Sequence, residues 1–318
     1  GAYGEVYAGR WRRNEVAVKM MVHGELDEAD RDAFFGEMQL LSELRHQNIV
    51  RFLAASLEPA SMAILFELCP GSLYDLLHKS SEPLPPVPHM VNMMDEVALG
   101  MHYLHTAWEA PVLHLDLKSA NVLIDYKGIA KVSDFGMAHV MEDAAAVKQG
   151  GTIGSPQWTA PEVLKGEPYG AAADTYSYGM LLYELMARAL PYAGQDSCEL
   201  VVGVITGLLP RPALDERTIA AWPREMSTLM GRCIVEAPAE RPTFESVLDA
   251  LEPLQQSMRE QRATTVSEAM VAASPLKPPA AIGRRHSSAA AIITGGGGGG
   301  ESTPGTPVGA ADMAAGTE

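Results

Sequence analysis

Cysteine is scarce in this chain of 318 residues, which contains only three. Cys69, Cys198 and Cys233 are widely spaced and odd in number, and they match neither a zinc-binding spacing nor a disulfide framework. The scarcity argues against a disulfide-rich secreted domain and favours a reducing compartment. We therefore expect a cytoplasmic protein.

Long apolar runs are also missing. No stretch of about eighteen consecutive apolar residues, the length that spans a bilayer, occurs anywhere in the chain. The first residues do not read as a signal peptide either. Because residue 1 already falls inside a motif, the sequence leaves open an upstream transmembrane segment, and membrane association is not predicted in either direction.

Positive charge is in short supply, with 24 Lys and Arg against 40 Asp and Glu and a net charge of -16. Residues 259–318 hold five basic and five acidic residues, so the imbalance belongs to the first 258 residues. Direct nucleic-acid binding depends on Lys and Arg that neutralise phosphates. We expect no nucleic-acid partner.

Two short motifs in the middle of the chain carry the chemistry. Residues 114–121 read HLDLKSAN, and the tripeptide DFG begins at Asp134, thirteen positions after Asn121. Phosphoryl transfer needs a carboxylate that orients the attacking hydroxyl, a cation on the phosphate, and oxygen ligands for Mg²⁺. Asp116 supplies the first and Lys118 the second. Asn121 and Asp134 supply the metal ligands.

Together with the tripeptide APE at 160–162, these motifs resemble those of eukaryotic protein kinases. The resemblance implies ATP and Mg²⁺ as cofactors and a protein as the phosphoryl acceptor. It also implies an α+β fold of two lobes, a small β-rich N-lobe truncated at the nucleotide loop and a larger helical C-lobe. We place the kinase domain at 1–258, with the N-lobe at about 1–66, a hinge at about 67–71 and the C-lobe at about 72–258.

The first residues resemble the nucleotide-binding part of that family. The sequence GAYGEV matches the second half of the G-x-G-x-x-G-x-V loop, in which Gly1 and Gly4 let backbone amides approach phosphates. The sequence VAVK alternates like a strand and ends at Lys19, the position that pairs with the α- and β-phosphates in the family. Its carboxylate partner is expected on a helix predicted over 31–44, where Glu37 is the candidate.

Adenine recognition is expected at the hinge. The apolar run at 63–66 predicts a buried strand that ends at Phe66, the gatekeeper position, and the sequence PGSL at 70–73 predicts a turn into a helix. The resemblance assigns adenine hydrogen bonds to the backbone of Glu67 and Cys69, although this hinge is one residue shorter than the common form. It assigns the faces of adenine to three apolar residues: Val6, Ala17 and Leu123.

The segment from 134 to 162 corresponds to the activation loop of the family. Thr152 is the expected phosphosite by position, with an ordinary polar loop residue as the alternative. Ser155 stands where serine/threonine kinases carry a threonine bonded to the catalytic Asp and Lys, and together with Lys118 it favours serine/threonine substrates. Trp158 and the later motif DTYSYG resemble the tyrosine-kinase-like group, which includes the Raf-like and mixed-lineage enzymes.

Leu115 is a departure from the family, which mostly has arginine before the catalytic aspartate. Phosphorylation usually orders a loop through an arginine cluster, so we expect activity here to depend less on loop phosphorylation. The resemblance implies two structural roles as well. Asp174 is expected to brace the catalytic loop, and Arg241 is expected to pair with Glu162.

The end of the chain has a different composition. No aromatic residue follows Phe244, and residues 259–318 are rich in Ala, Ser, Pro and Gly. Such a segment buries too little apolar area to offset its chain entropy. We predict a disordered tail over these residues.

Two alternatives to an active serine/threonine kinase remain open at this point. One is a kinase-fold scaffold or pseudokinase with weak or no transfer, and the other is a dual-specificity or tyrosine kinase. The simultaneous presence of Lys19, Asp116, Asn121 and Asp134 favours the active enzyme, because a scaffold needs none of them for its function.

Overall fold

A computed structural model describes four parts of the chain: residues 5–20, 28–58, 62–140 and 155–272. For residues 28–33, 139 and 261–272 only the backbone is described. Three residues singled out from the sequence, Gly1, Gly4 and Thr152, lie outside the described residues.

The first part of the chain forms an antiparallel sheet with one helix. Its elements are β1 (Glu5–Trp11), β2 (Asn14–Met20), α1 (Glu28–Glu43), β3 (Phe52–Ser56) and β4 (Ala63–Glu67). The strands lie in the order β1-β2-β4-β3. Alternation in β2 turns Val16 and Val18 to one face, where they are buried with Ala63 of β4. The strand predicted before Lys19 and the helix predicted around Glu37 are both present.

The second part is mainly helical and has short strands near its start. Its strands are β5 (Gly71–Ser72), β6 (Val112–Leu113), β7 (Val122–Ile124), β8 (Ala130–Val132) and β9 (His139–Val140). Its helices are α2 (Val87–Thr106), α3 (Pro161–Lys165), α4 (Ala172–Ala187), α5 (Ser197–Ile205), α6 (Glu216–Ala221), α7 (Arg224–Cys233) and α8 (Phe244–Ala272). Helix α4 is buried along most of its length, and side chains of α2, α7 and α8 complete the core around it. A small β-rich lobe and a larger helical lobe are what the sequence predicted.

The connection between the lobes differs in detail from the prediction. Strand β4 ends at Glu67, and β5 starts at Gly71 and pairs with β7. The sequence predicted that residues 70–73 turn directly into a helix, but a strand precedes the π-helical turn at Asp75–Lys79. Pairing with β7 keeps Gly71 and Ser72 extended, and the backbone N–H and the hydroxyl of Ser72 both donate to Asp75 Oδ2, at 3.0 and 2.8 Å.

The predicted start of the tail at residue 259 is also corrected. Helix α8 continues to Ala272, so the proposed boundary falls inside a helix. Residues 254–274 contain neither glycine nor proline and are rich in good helix formers, which explains the extension. Residues 273–318 lie outside the described residues. Among the helices that the structure describes, none is both long and apolar enough to cross a membrane.

Candidate active site

Lys19 lies between two carboxylates at the junction of the lobes. Its Nζ is 2.7 Å from Glu37 Oε1 and 3.0 Å from Asp134 Oδ1. Strand β2 supplies the lysine and α1 supplies Glu37, while Asp134 follows β8 and has a left-handed backbone with φ of 64°. The side chains of Lys19 and Glu37 are mostly buried, and that of Asp134 is 45% exposed. The structure therefore brings together three residues that the sequence assigned to nucleotide and metal binding.

The charges of these three groups shift one another's pKa. Burial acts to lower the pKa of Lys19, but the two carboxylates outweigh it and raise that pKa above its ordinary value. Burial raises the pKa of Glu37 by more than the Lys19 charge lowers it. For Asp134, partial burial favours the protonated form, but the Lys19 charge prevails and lowers the pKa. Lys19 is thus cationic and Asp134 anionic at neutral pH, which phosphate and metal binding require.

A second polar cluster surrounds Asp116. Lys118 Nζ donates to Asp116 Oδ2 and to Ser155 Oγ, both at 2.7 Å. Asn121 Nδ2 donates to the carbonyl oxygen of Asp116 at 2.8 Å and to its Oδ2 at 2.9 Å. None of these hydrogen bonds uses Asp116 Oδ1, which is therefore the candidate oxygen for a substrate hydroxyl. Ser155, predicted at this place from the sequence, contacts the lysine.

The donor set suits Mg²⁺ at one point of the site. Because the Asn121 amide nitrogen donates twice to Asp116, its Oδ1 is the atom left to bind a cation. Asp134 uses Oδ1 for Lys19, which leaves Oδ2. Two hard oxygen donors, one of them anionic and open to solvent, fit an ion that keeps several waters.

Asp174 holds the backbone of the catalytic loop. This carboxylate is fully buried, and it accepts hydrogen bonds from the backbone N–H of His114 at 2.9 Å and of Leu115 at 2.8 Å. His105 Nε2 lies 2.8 Å from Asp174 Oδ2. Burial works to raise the pKa of Asp174, but the hydrogen bond and charge of His105, together with His114, lower it overall. The contacts are those expected of a brace.

Leu115 has a positive φ of 62° in this arrangement, and its side chain packs against the hydrophobic core. A leucine in this conformation carries backbone strain. The two hydrogen bonds that Asp174 makes to the loop hold the strained backbone in place. An apolar side chain packed in this way gives no cation for a loop phosphate.

His114 connects the catalytic loop to the segment that carries Asp134. It is fully buried, its Nε2–H donates to the carbonyl of Ser133 at 3.0 Å, and its ring packs 5.2 Å from the ring of Phe135. The N–H and the hydroxyl of Ser133 both donate to the carbonyl of Asn121, at 2.9 and 3.0 Å. The two candidate metal ligands are therefore fixed relative to each other.

The residues assigned to adenine lie on the strands that flank the connection. Val6 stands opposite Lys19 in the β1–β2 pairing, and Ala17 stands opposite Phe66 in the β2–β4 pairing. Leu123 stands opposite Ser72 in the β5–β7 pairing. The side chain of Val6 is exposed. These placements agree with the assigned roles, which stay predictions.

Cys69 lies in the connection itself and is half-buried. Burial, with a smaller contribution from the charge of Glu67, raises the pKa of its thiol to about 12. The thiol is therefore protonated at neutral pH. Its backbone role toward adenine stays a prediction.

Arg241 and Glu162 form a buried, two-pronged ion pair. The guanidinium nitrogens lie 2.6 and 2.9 Å from the two carboxylate oxygens. Arg241 also donates to the carbonyls of Ala172, Val235 and Glu236, so each of its nitrogens has a partner. This pair joins the APE motif to the end of the helical lobe.

Glu184 is a structural polar residue that the sequence reasoning missed. It is fully buried in α4, and it accepts from the Ser119 hydroxyl and from Trp158 Nε1, the latter at 2.9 Å. His78 Nε2 lies 2.9 Å from Glu184 Oε1, the oxygen that also accepts from Ser119. A signal was available, since Asp174 and Glu184 are the only charged residues in an otherwise apolar helix. Such residues need buried partners.

Comparison with known proteins agrees with this geometry. The family model described as protein tyrosine and serine/threonine kinase matches residues 1–251. Serine/threonine-protein kinase STY46 of Arabidopsis thaliana is 32% identical over 262 residues, which cover 82% of this chain and 44% of the relative. Serine/threonine-protein kinase CTR1 of the same plant is 34% identical over 257 residues, which cover 80% of this chain and 30% of the relative.

This chain thus spans less than half the length of each of these two relatives. The match to the family model nevertheless covers the nucleotide loop, the catalytic loop and the helical lobe in one alignment. The resemblance predicted from the sequence is confirmed. The chain belongs to the protein tyrosine and serine/threonine kinase family.

Proposed function

We propose that this chain transfers the γ-phosphoryl group of ATP to serine or threonine hydroxyls of a protein substrate. The observation that carries the proposal is the Asp116 cluster, in which Lys118 joins the carboxylate to Ser155 while Asn121 holds it from the other side. Phosphoryl transfer depends on positioning and on charge stabilisation more than on covalent chemistry. The cluster supplies both.

Each residue has a role that its contacts support. Asp116 orients the acceptor hydroxyl and takes its proton on Oδ1, because Oδ2 is occupied by Lys118 and Asn121. Lys118 presents a positive charge beside the same carboxylate. Lys19 would hold the phosphates of ATP, and Glu37 keeps its ammonium in place. Asn121 and Asp134 would hold Mg²⁺, which neutralises phosphate charge when it is bound.

Two observations favour serine and threonine over tyrosine. Lys118 donates to Ser155 at 2.7 Å, which fixes the segment before the APE motif against the catalytic loop. The relatives STY46 and CTR1 are both named serine/threonine-protein kinases. We also propose a cytoplasmic location, on the low cysteine content alone.

The test is transfer of labelled phosphate from ATP and Mg²⁺ to a generic acceptor protein that contains serine, threonine and tyrosine. Phosphoamino-acid analysis of the product should give phosphoserine and phosphothreonine from the wild type and neither from Asp116→Asn. Predominant phosphotyrosine would contradict the specificity. A wild type that binds ATP and Mg²⁺ without transferring phosphate would favour a scaffold.

A further inference from the structure

The segment between α1 and β3 is bonded closely to β8. The backbone N–H of Val132 donates to the carbonyl of Asn48 at 2.8 Å, and that of Val50 donates to the carbonyl of Val132 at 2.9 Å. Asn48 Nδ2 donates to the carbonyl of Ala130 at 3.0 Å. Asp134 comes two residues after Val132, so these hydrogen bonds help to fix the position of a candidate metal ligand.

The same segment has little freedom to move. A Cβ atom added at Gly100 of α2 would lie 2.7 Å from the backbone oxygen of Asn48 and 3.3 Å from Val132. Helix α2 therefore presses directly on the backbone at this point. Helix α2 therefore limits the movement of both the segment and β8.

The side chain of Lys131 connects β8 and the segment beside it to the end of β4. Its Nζ lies 2.8 Å from the carbonyl oxygen of Gln47 and 3.1 Å from Glu67 Oε1. Glu67 Oε1 also accepts from the backbone N–H of Arg51 at 2.8 Å, and the N–H of Glu67 donates to the carbonyl of Arg51 at 3.0 Å. The side chains of Lys131 and Glu67 are only 11% and 20% exposed. The ion pair is thus a direct side-chain link between β8 and the residue where the interlobe connection begins.

We propose that Lys131 and Glu67 are positioning residues for the nucleotide, because their ion pair fixes the adenine end of the site relative to the metal end. The inference rests on the proposed function, in which the backbone of Glu67 binds adenine and Asp134 binds the metal. A nucleotide that touches both ends is held well only if their separation is correct. The ion pair acts on that separation through the side chains of Lys131 and Glu67, whereas the proposed adenine contact uses the backbone of Glu67.

The expected effect is selective. Loss of a partly buried ion pair leaves one charge without its partner, and the β4 end then gains freedom that binding must remove. We expect the Kd and the KM for ATP to rise by about 3- to 10-fold, a range discounted from that of a fully buried pair. The KM for the protein acceptor should stay within about twofold, because the acceptor contacts other residues.

The experiment compares five proteins: wild type, Lys131→Met, Glu67→Gln, the double variant and the control Lys127→Met. Lys127 lies in the turn between β7 and β8, is exposed, and bonds through its backbone N–H to Asp125 Oδ1 at 2.7 Å. The measurements are the Kd for ATP with Mg²⁺ by calorimetry, the KM for ATP, the KM for the acceptor and the melting temperature without nucleotide. A further variant, Lys131→Arg, keeps the charge and should recover most of the affinity.

The double variant gives the sharpest outcome. If the two side chains act as one unit, the double variant binds ATP no more weakly than the worse single variant. Unchanged ATP affinity in Lys131→Met, even with a lower melting temperature, would reduce the pair to a brace of the fold and overturn the inference. A wild type that fails to bind ATP would instead overturn the proposed function, which the calorimetry shows separately.

Discussion

The carboxylates between the lobes and those inside the helical lobe are used in opposite ways. Asp134 meets one cation and keeps an oxygen open, with a side chain 45% exposed. Asp116 likewise commits Oδ2 and keeps Oδ1. Asp174 and Glu184 are fully buried, and each accepts from two donors and contacts a histidine.

This difference separates chemistry from support. An oxygen without a protein partner is affordable only near solvent or a ligand, because a buried one costs about 1–3 kcal/mol. The open oxygens of Asp116 and Asp134 are therefore the atoms that the proposed function assigns to a hydroxyl and a metal ion. The buried, fully hydrogen-bonded carboxylates of Asp174 and Glu184 instead stabilise the backbone that carries Asp116 and Asp134.

The largest expected effect follows from removing the negative charge of Asp116. Asp116→Asn should lower kcat by about 10²- to 10⁴-fold, because the amide cannot take the hydroxyl proton. The melting temperature should change little, since an amide oxygen in the place of Asp116 Oδ2 can still accept from Lys118 and Asn121. Steady-state kinetics and a thermal melt on the same sample give both numbers. Turnover equal to that of the wild type would remove Asp116 from the mechanism.

Breaking the buried Arg241–Glu162 ion pair should have the opposite effect, a large loss of stability. Arg241→Met leaves the buried Glu162 carboxylate without its cation, and this loss costs about 3–5 kcal/mol of unfolding free energy. At about 2–4 °C per kcal/mol, the melting temperature should fall by roughly 10 °C. The matched control is Arg232→Met, which changes an exposed arginine of α7. If both variants melted alike, the pair would not be a brace.

The pH dependence of the free energy of unfolding tests the stabilising role of Asp174, with a smaller expected effect. Burial opposes its ionisation, but His105 and His114 hold its pKa below the ordinary 3.8. A lowered pKa contributes stability that is complete above the unfolded value and is lost as the pH falls through the folded value. As the pH falls below the unfolded value of 3.8, the wild type should therefore lose stability more steeply than Asp174→Asn, which does not titrate. Parallel curves from urea unfolding would contradict this.

The smallest effect is expected at Thr152. Leu115 stands where most of the family has arginine, and its side chain packs against the core. This position therefore carries no positive charge for a loop phosphate to neutralise. Thr152→Ala should keep kcat within about twofold of the autophosphorylated wild type. Turnover is measured before and after autophosphorylation. A wild type that is inactive after phosphatase treatment and restored only by phosphate on Thr152 would show that another cation reads the phosphate.

The sequence predicted which candidate site residues the fold brings close together, and their catalytic roles stay predictions. Asp116, Asn121 and Asp134 were identified by their motifs, because phosphoryl transfer needs a carboxylate for the hydroxyl and oxygen ligands for Mg²⁺. Periodicity predicted the strand before Lys19 and the helix around Glu37, and both are present. The roles of the two residues and the two lobes were expected from the resemblance to protein kinases.

Other features depended on contacts that no local pattern contains. The strand at Gly71–Ser72 exists because β7 lies beside it, although the residues around it read as a turn. The partners of Glu184 lie 26 to 106 positions away along the chain. The start of the disordered tail was placed too early because composition was weighed over all of residues 259–318, while residues 259–272 by themselves favour a helix.

One paired measurement tests the central distinction most directly: the melting temperatures of Asp134→Ala and Asp174→Ala, each with and without ATP and Mg²⁺. Asp134→Ala should melt within about 2 °C of the wild type alone and lose the stabilisation by ATP and Mg²⁺, because only a ligand site is removed. Asp174→Ala should melt about 5–10 °C lower, since buried N–H groups lose their acceptor. An Asp134→Ala protein stabilised by ATP and Mg²⁺ as strongly as the wild type, or an Asp174→Ala protein that melts like it, would contradict the account.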